Sequence, residues 1–260
     1  MKSKIAEAVQ LKYLPVAVVF SNERPDGAIQ FQEGKYGCVV AMLNAAAKGK
    51  TVVFDRKTFG CPGGGAGLGF GNTYKNFPGG IGNFLSTGNP EFCKTEIGQK
   101  VVKQLPALEH GEGYQKSPEV AEQFINSLPM IDVPTEYVIF KPLEQCSENE
   151  TPKVVVFLAN PDQISALTVL VSYTRGSYDN VIAPYGAGCH QIGIIPYKES
   201  ESENPRAVIG LTDPTIRTKL DKDLLSFTVP YRMFIEMESN VAGSFLEKHD
   251  WLKILERKAN

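Results

Sequence analysis

The sequence predicts an α+β fold, a single domain over residues 1–260 with a mixed sheet and flanking helices. Short apolar runs of strand length are interspersed with longer segments of helical length. The 24 Gly and 17 Pro residues punctuate the chain between these segments. Hydrophobic residues make up 42% of the chain and charged residues 22%, which is typical of a folded protein and excludes a mainly disordered one.

The elements follow from these patterns in chain order. Apolar runs predict strands at residues 16–20, 51–55, 137–141, 154–159 and 206–211, and a strand or helix at 224–229 and at 233–238. Ala-rich or capped segments predict helices at residues 39–47, 91–108, 118–128, 161–173 and 243–257. Seven glycines within residues 60–71 predict a loop.

The two halves of the chain resemble each other loosely. Residues 15–27 and 152–164 both read as a strand followed by Asn and then Pro-Asp. Each half then has a Tyr-Gly…Cys element that ends at Cys38 or Cys189, and each of these elements precedes a further strand. A repeat would place the boundary between halves near the polar segment 146–152 and make the two cysteines equivalent. The alternative is that an α+β domain simply reuses strand–turn–helix units.

Charge and hydropathy restrict the expected partners. The formal net charge is −2 and Lys and Arg are scattered, so neither nucleic acid nor an anionic membrane is an expected partner. No run reaches the roughly 18 apolar residues of a membrane span, and Glu7 interrupts the N-terminal apolar segment. We therefore expect a cytoplasmic protein whose partner is a small molecule. The sequence gives no oligomeric state.

Five cysteines are spread over the chain, an odd number that favours reduced thiols over a disulfide scaffold. Cys38 opens the helix predicted at 39–47, where free N–H groups favour a thiolate, although a buried cysteine is also an ordinary small core residue. Cys61 precedes Gly63, Gly64 and Gly65, whose N–H groups are able to form an anion-binding nest. The segment matches neither the Walker loop nor the Rossmann fingerprint, and a tight structural turn is the alternative.

Cys189 follows a second glycine-rich turn, and the adjacent His190 is the only histidine beside a cysteine. His190 is a candidate base, metal ligand or satisfied surface residue. Arg217 is a candidate clamp for a carboxylate or phosphate, although a capping Asp213 with a surface ion pair explains the same segment. Cys93 and Cys146 lack a glycine context, and we interpret them as structural or incidental.

Three hypotheses for the site remain open. Without a C-x-x-C motif, a zinc ribbon or a thioredoxin-type pair is disfavoured. Cys38, Cys61 and Cys189 are nevertheless able to converge on a 4Fe-4S cluster, or on a metal with His190 as fourth ligand, for redox or Lewis-acid chemistry. Alternatively the glycine segment binds a small anion in a sensor module. In the third hypothesis the cysteines are nucleophiles in thiol or acyl chemistry, with His190 as base.

A series of motifs runs along the chain: Pro-Val-Ala-Val at 15–18, Tyr-Gly-Cys and an Ala-rich helix at 36–47, Lys-Gly-Lys at 48–50, Cys-Pro-Gly-Gly-Gly with Leu-Gly at 61–69, and Gly-x-Gly-Cys at 186–189. In this order they resemble the prokaryotic family called domain of unknown function 169. The resemblance spans nearly the whole chain. It implies a bacterial or archaeal cytosolic protein with one α+β domain, supplies no catalytic residues, and favours treating the three cysteines as a set.

Overall fold

A computed structural model of the chain describes residues 2–258, so residues 1, 259 and 260 of the predicted domain lie outside the described part. The strands are β1 (Val16–Ser21), β2 (Val52–Phe54), β3 (Tyr137–Pro142), β4 (Val154–Ala159), β5 (Val181–Ile182), β6 (Ala207–Gly210) and β7 (Leu225–Pro230). They form one mixed sheet in the order β2-β3-β1-β4-β7-β6-β5, in which only the β5–β6 pair is parallel. The predicted α+β class and mixed sheet are therefore confirmed.

Helices account for most of the remaining regular structure. The α-helices are α1 (Lys4–Ala8), α2 (Val39–Ala47), α3 (Pro62–Leu68), α4 (Ile81–Leu85), α5 (Pro90–Lys94), α6 (Glu96–Val102), α7 (Ala107–His110), α8 (Pro118–Ser127), α9 (Pro161–Ser172), α10 (Gly188–Ile192), α11 (Ile194–Ser200), α12 (Tyr231–Ser239) and α13 (His249–Lys258). Short 3-10 helices lie at Leu143–Gln145, Pro214–Lys219 and Phe245–Glu247. Within the described residues, no helix combines the length and apolar character that crossing a membrane requires.

The sheet repeats its strand pairing in the two halves of the chain. The central strands β1 and β4 are antiparallel neighbours, and outward from them the order is β3 then β2 on one side, and β7 then β6 on the other. The pairing register also corresponds. Val16 pairs with Pro142 between β1 and β3, as Val154 pairs with Pro230 between β4 and β7. Val52 pairs with Phe140 between β2 and β3, as Val208 pairs with Thr228 between β6 and β7. Even the parallel β5–β6 pair has a counterpart in the isolated bridge between Ile29 and Val52. A pseudo-twofold axis therefore passes between β1 and β4.

Side-chain alternation gives the sheet two buried faces. One face packs with α1, α9, α12 and α13 in a core that includes Ala17, Val155, Phe227, Phe234 and Trp251. The other face carries the alternate strand residues, and α2, α10 and α11 pack on it. Because both faces are covered, the strands are apolar on both sides, as their continuous hydrophobic runs indicate.

The chain divides by its contacts into two compact units. The first contains the sheet and comprises the described residues up to Gly71 and from Ile131 onward. The second, Asn72–Met130, is helical and contains α4 to α8. In chain order it is inserted between α3 and β3, so it interrupts the first half of the repeat.

Three predicted elements require correction. The helix predicted at 91–108 is broken into α5, α6 and α7, because Thr95 adopts an extended conformation and caps α6 through Gly98 N–H. The helix predicted from 243 begins only at His249, after a 3-10 turn that Ser244 caps. The loop predicted at 60–71 contains a helix, α3. Of the two ambiguous segments, 224–229 is strand β7 and 233–238 lies in helix α12.

Candidate functional site

Cys38, Cys61 and Cys189 all lie at the start of a helix in the unit that contains the sheet. Cys38 is the N-cap of α2 and Cys61 the N-cap of α3, while Cys189 is the second residue of α10. Cys38 and Cys61 are partly exposed, and Cys189 is buried. Helices α2 and α10 precede β2 and β6, which the pseudo-twofold axis relates. The order of these elements agrees with the predicted equivalence of Cys38 and Cys189, which stays a prediction.

Glycines bring α3 and α10 into backbone contact. A Cβ built on Gly67 of α3 would lie 2.5 Å from both the carbonyl carbon and the Cβ of Cys189. A Cβ on Gly193, which follows α10, would overlap the carbonyl oxygen of Gly67. Only glycine permits so close an approach of two backbones. The close packing fixes Cys189 against the helix that Cys61 caps.

Cys38 and Cys61 are joined through the residues that precede them. Gly37 N–H donates a hydrogen bond of 3.2 Å to the carbonyl of Gly60. A Cβ on Gly60 would lie 2.5 Å from the carbonyl oxygen of Gly37, so position 60 also requires glycine. Gly60 also has a φ of +82°, a left-handed conformation that few other residues adopt. The two cysteines therefore begin their helices from neighbouring backbone positions.

Burial and neighbouring thiols raise the pKa of two of the cysteines, Cys61 and Cys189. Burial raises the pKa of Cys61, and the nearby Cys38 raises it further, whereas hydrogen bonds from Gly64 N–H, Gly63 N–H and the Tyr36 side chain lower it. Burial raises the pKa of Cys189 well above its usual value, with further increases from Cys61 and Cys38. The backbone contacts place Cys189 against the helix that Cys61 caps, and they place the starts of the Cys38 and Cys61 helices side by side.

The glycine segment forms helix α3 where a loop was predicted. In α3, Gly64 N–H donates to Cys61 Sγ at 3.3 Å and Gly65 N–H donates to the Cys61 carbonyl at 2.9 Å. The expectation of an open loop was wrong because close packing against α10 overrides the low helix propensity of glycine. The N–H groups of Gly63, Gly64 and Gly65 thus serve the helix and the Cys61 sulfur.

His190 is enclosed in α10 and only 1% exposed. Burial lowers its pKa to about 4, so the imidazole is neutral at pH 7. The neutral imidazole of His190 is able to bind a metal, but a side chain with a pKa of about 4 is a weak base. A Cβ on Gly186 would lie 3.4 Å from His190 Nδ1, which places this ring nitrogen beside the turn before the helix.

The guanidinium of Arg217 is held by backbone carbonyls. It donates from Nη1 to Leu211 and Leu224 at 3.2 and 2.5 Å, and from Nη2 to Lys222 at 2.7 Å. These bonds close the loop between β6 and β7. The structure accordingly gives Arg217 a role in loop packing, and its use as an anion clamp stays a prediction.

Two residues near the cysteines were not predicted as part of the site. Tyr36 hydrogen-bonds Cys61, and its signal in the sequence was the Tyr-Gly…Cys element that both halves share. Asp213 caps the 3-10 helix Pro214–Lys219, as expected, but its carboxylate also accepts from Gly188 N–H at 3.4 Å and raises the pKa of Cys189. No local pattern indicates that contact, because Asp213 and Gly188 are separated in sequence.

The side chains as they stand are not arranged around a metal. Within residues 2–257, no group of three or more His, Cys, Asp or Glu side chains has the positions needed to hold a metal ion. Two surface clefts, of about 330 and 380 Å³, lie against the N-terminal segment and are not lined by the cysteines. Cys146 packs at the edge of the core on the opposite sheet face, and Cys93 is buried in α5 of the helical unit.

The comparisons with known proteins and with family models gave different results. Neither the curated proteins nor the solved structures contain a match to the chain. A family model, domain of unknown function 169 (DUF169), described as uncharacterised ArCR, matches residues 4–240. This range includes the whole sheet and all of the candidate site residues. The chain belongs to the DUF169 family.

Proposed function

We propose that the chain binds a thiolate-ligated metal ion or iron–sulfur cluster through Cys38, Cys61 and Cys189, for redox or Lewis-acid chemistry. The observation that carries this proposal is the backbone packing, which sets Cys189 against the helix that Cys61 caps and joins the residues before Cys38 and Cys61 by a hydrogen bond. Three cysteine sulfurs suit a cluster with one iron open to substrate, or a metal ion with a fourth ligand.

Charge balance favours a cationic ligand for these sulfurs. Burial and mutual repulsion favour the protonated thiols of Cys61 and Cys189, and none of the leading influences on their pKa values comes from Lys or Arg. A metal ion supplies the missing positive charge and displaces the protons, because thiolate is the form that ligates. Thiols with raised pKa values are thereby ionised only when the ion is bound.

The surroundings of Cys61 resemble the hydrogen bonding that supports thiolate ligands. Gly64 N–H and the Tyr36 side chain both bond its sulfur. Such bonds around a ligand orient it and tune the metal.

The other two hypotheses have less support. An anion site needs free donors, whereas Arg217 is bonded to carbonyls and Gly64 and Gly65 donate within α3. Nucleophilic catalysis at neutral pH needs an ionised thiol or an adjacent base. Burial raises the pKa of Cys189 and lowers that of His190, so this neighbouring pair provides neither.

The test is anaerobic loading of the protein with Fe²⁺ and sulfide, and separately with Zn²⁺, followed by elemental analysis and absorption spectroscopy. We expect bound metal at about one site per chain, and its loss in Cys38→Ser, Cys61→Ser and Cys189→Ser. Cys146→Ser is the matched control, because this cysteine lies in the same unit on the opposite sheet face. Wild-type protein that stays free of metal under both conditions would contradict the proposal, as would an equal loss in the control.

A further inference from the structure

We infer that the cleft between residues 11–15 and the C-terminal end of α2 binds a small organic molecule with two negatively charged groups, through Lys12 and Lys48. The observations that carry this inference are the two lysine ammonium groups beside one tyrosine ring and the cleft that they line. Cys38 caps the opposite end of α2, and the described lining of the cleft includes no cysteine. The inference therefore does not depend on the proposed metal site.

The cleft has the size and composition of a small-molecule site. Its volume is about 380 Å³, and sites for small molecules usually measure about 300–1,000 Å³. Its polar residues are Lys12, Tyr13 and Lys48, and the rest of the lining is apolar. The apolar lining residues are Ala6, Leu11, Leu14, Pro15 and Ala47. A few polar groups on an apolar surface are the usual composition of a ligand site, so we expect a ligand with an apolar body and few charged groups.

The polar residues of the cleft place two positive charges beside one aromatic ring. The Nζ of Lys12 lies 5.2 Å from the centroid of the Tyr13 ring, and the Nζ of Lys48 lies 5.4 Å from the same centroid. Attraction to the negative face of the ring favours these positions. Because both ammonium groups contact one ring, a single small molecule with two anionic groups is able to pair with both lysines.

The two lysines keep hydrogen-bonding capacity for such a ligand. Lys12 Nζ is bonded to Asp221 Oδ2 at 2.6 Å, which uses one of the three donors of an ammonium group. Lys48 forms no ion pair with any carboxylate of the described residues. Hydrogen bonds from Lys12 and Tyr13 lower the pKa of Asp221, and the charge of Lys48 lowers it further. With two ammonium groups and one carboxylate, this cluster has a net positive charge at neutral pH.

Hydrogen bonds hold the two walls of the cleft in place. Leu14 N–H donates to the carbonyl of Ala47 at 3.0 Å, which joins one wall to the last residue of α2. Just before this wall, the buried Gln163 side chain donates from Nε2 to the carbonyls of Val9 and Gln10 at 3.1 and 2.8 Å. Gln10 has a φ of +51°, a left-handed conformation that is uncommon outside glycine. Walls that are fixed before a ligand arrives reduce the entropic cost of binding.

The test is isothermal titration calorimetry of the full chain at low ionic strength, with inorganic pyrophosphate and glutarate as probes. Both probes carry two anionic groups, and together they distinguish phosphoryl from carboxylate recognition. We expect saturable binding of at least one probe, weakened about tenfold in Lys12→Gln and in Lys48→Gln, because each variant loses a charge-assisted hydrogen bond. Lys50 is exposed and lies near Lys48 in the chain but outside the cleft lining. Lys50→Gln is therefore the matched control and should bind as the wild type does.

Each outcome decides the inference. Saturation by one probe alone supports the site and identifies the class of anionic group, whereas no saturable binding of either probe overturns it. Equal weakening in Lys50→Gln also overturns it, since diffuse surface charge then explains the binding. Lys48 is the C-cap residue of α2, where a cation stabilises a helix, so thermal unfolding of each variant is measured as well. If Lys48→Gln melts at a lower temperature but binds the probe as tightly as the wild type, Lys48 acts at the helix end alone and the inference is overturned.

Discussion

The closest approach of backbones near the candidate site is the crossing of α3 and α10, and Gly67→Ala tests it. The added methyl group would lie 2.5 Å from the carbonyl carbon and Cβ of Cys189 and 2.7 Å from its carbonyl oxygen. Ordinary contacts between carbon atoms are about 3.5–4.0 Å. The methyl group is therefore roughly 1 Å too close to backbone atoms, which cannot move aside as a flexible side chain can.

The expected cost follows from two opposing terms. Overpacking a buried position costs about 1–3 kcal/mol, and the upper end applies here because the obstructing atoms belong to the backbone. Alanine in place of a glycine inside a helix stabilises the folded state by about 0.5–1 kcal/mol. The free energy of unfolding should therefore fall by about 2 kcal/mol, which corresponds to a melting temperature lower by about 4–8 °C for a chain of this size.

The assay is urea unfolding followed by circular dichroism, together with calorimetry. Gly176→Ala is the control, since a Cβ at Gly176 meets no atom within 4 Å and this glycine has no positive φ. We expect the control to be as stable as the wild type. If Gly67→Ala unfolds at the same urea concentration as the wild type, or at a higher one, the close packing of α3 and α10 is refuted.

Two further predictions concern residues beside the site. Burial lowers the pKa of His190 from about 6.5 in the unfolded chain to about 4, so the unfolded state binds more protons between these values and stability falls as the pH decreases through this window. The loss of stability should reach about 3 kcal/mol near pH 4. His190→Gln should abolish this part of the pH dependence in urea titrations, whereas exposed His249→Gln, the control, should leave it unchanged. A His190→Gln profile equal to that of the wild type would contradict the prediction. Arg217→Ala removes the donors to three carbonyls and should lower the free energy of unfolding by about 2 kcal/mol. Thermal unfolding measures this loss, and a variant as stable as the wild type would show that the loop does not depend on the guanidinium.

Much of the sheet could be predicted because its strands are buried on both faces. The apolar run at 154–159 is continuous, rich in Val and of strand length, which favours a buried strand, and β4 (Val154–Ala159) occurs at those residues. The repeated halves were also visible, since strand β1 and strand β4 begin with similar residues. The sequence could not show the insertion of the helical unit Asn72–Met130 as a separate body, because contacts define it.

The candidate site was only partly predictable. Glycine and proline near Cys61 indicated a loop, whereas α3 forms there because Gly67 must pack against the backbone of Cys189. Arg217 had the chemistry of an anion clamp, but the carbonyls that accept its hydrogen bonds come from neighbouring loop positions that no pattern reveals. Asp213 was predicted as a cap, and its place beside Cys189 follows from the arrangement of two chain segments.

By itself the sequence determined the class of fold, most of the strands, the helix that Cys38 opens and the choice of three cysteines for attention. Hydrophobic patterning and capping act over a few residues, so local sequence is sufficient for these features. The tertiary structure decided that Cys189 packs against the helix that Cys61 caps, that the glycine segment is a helix, and that Asp213 bonds the start of α10. These features depend on which distant segments the sheet brings together, and its pseudo-twofold pairing determines that.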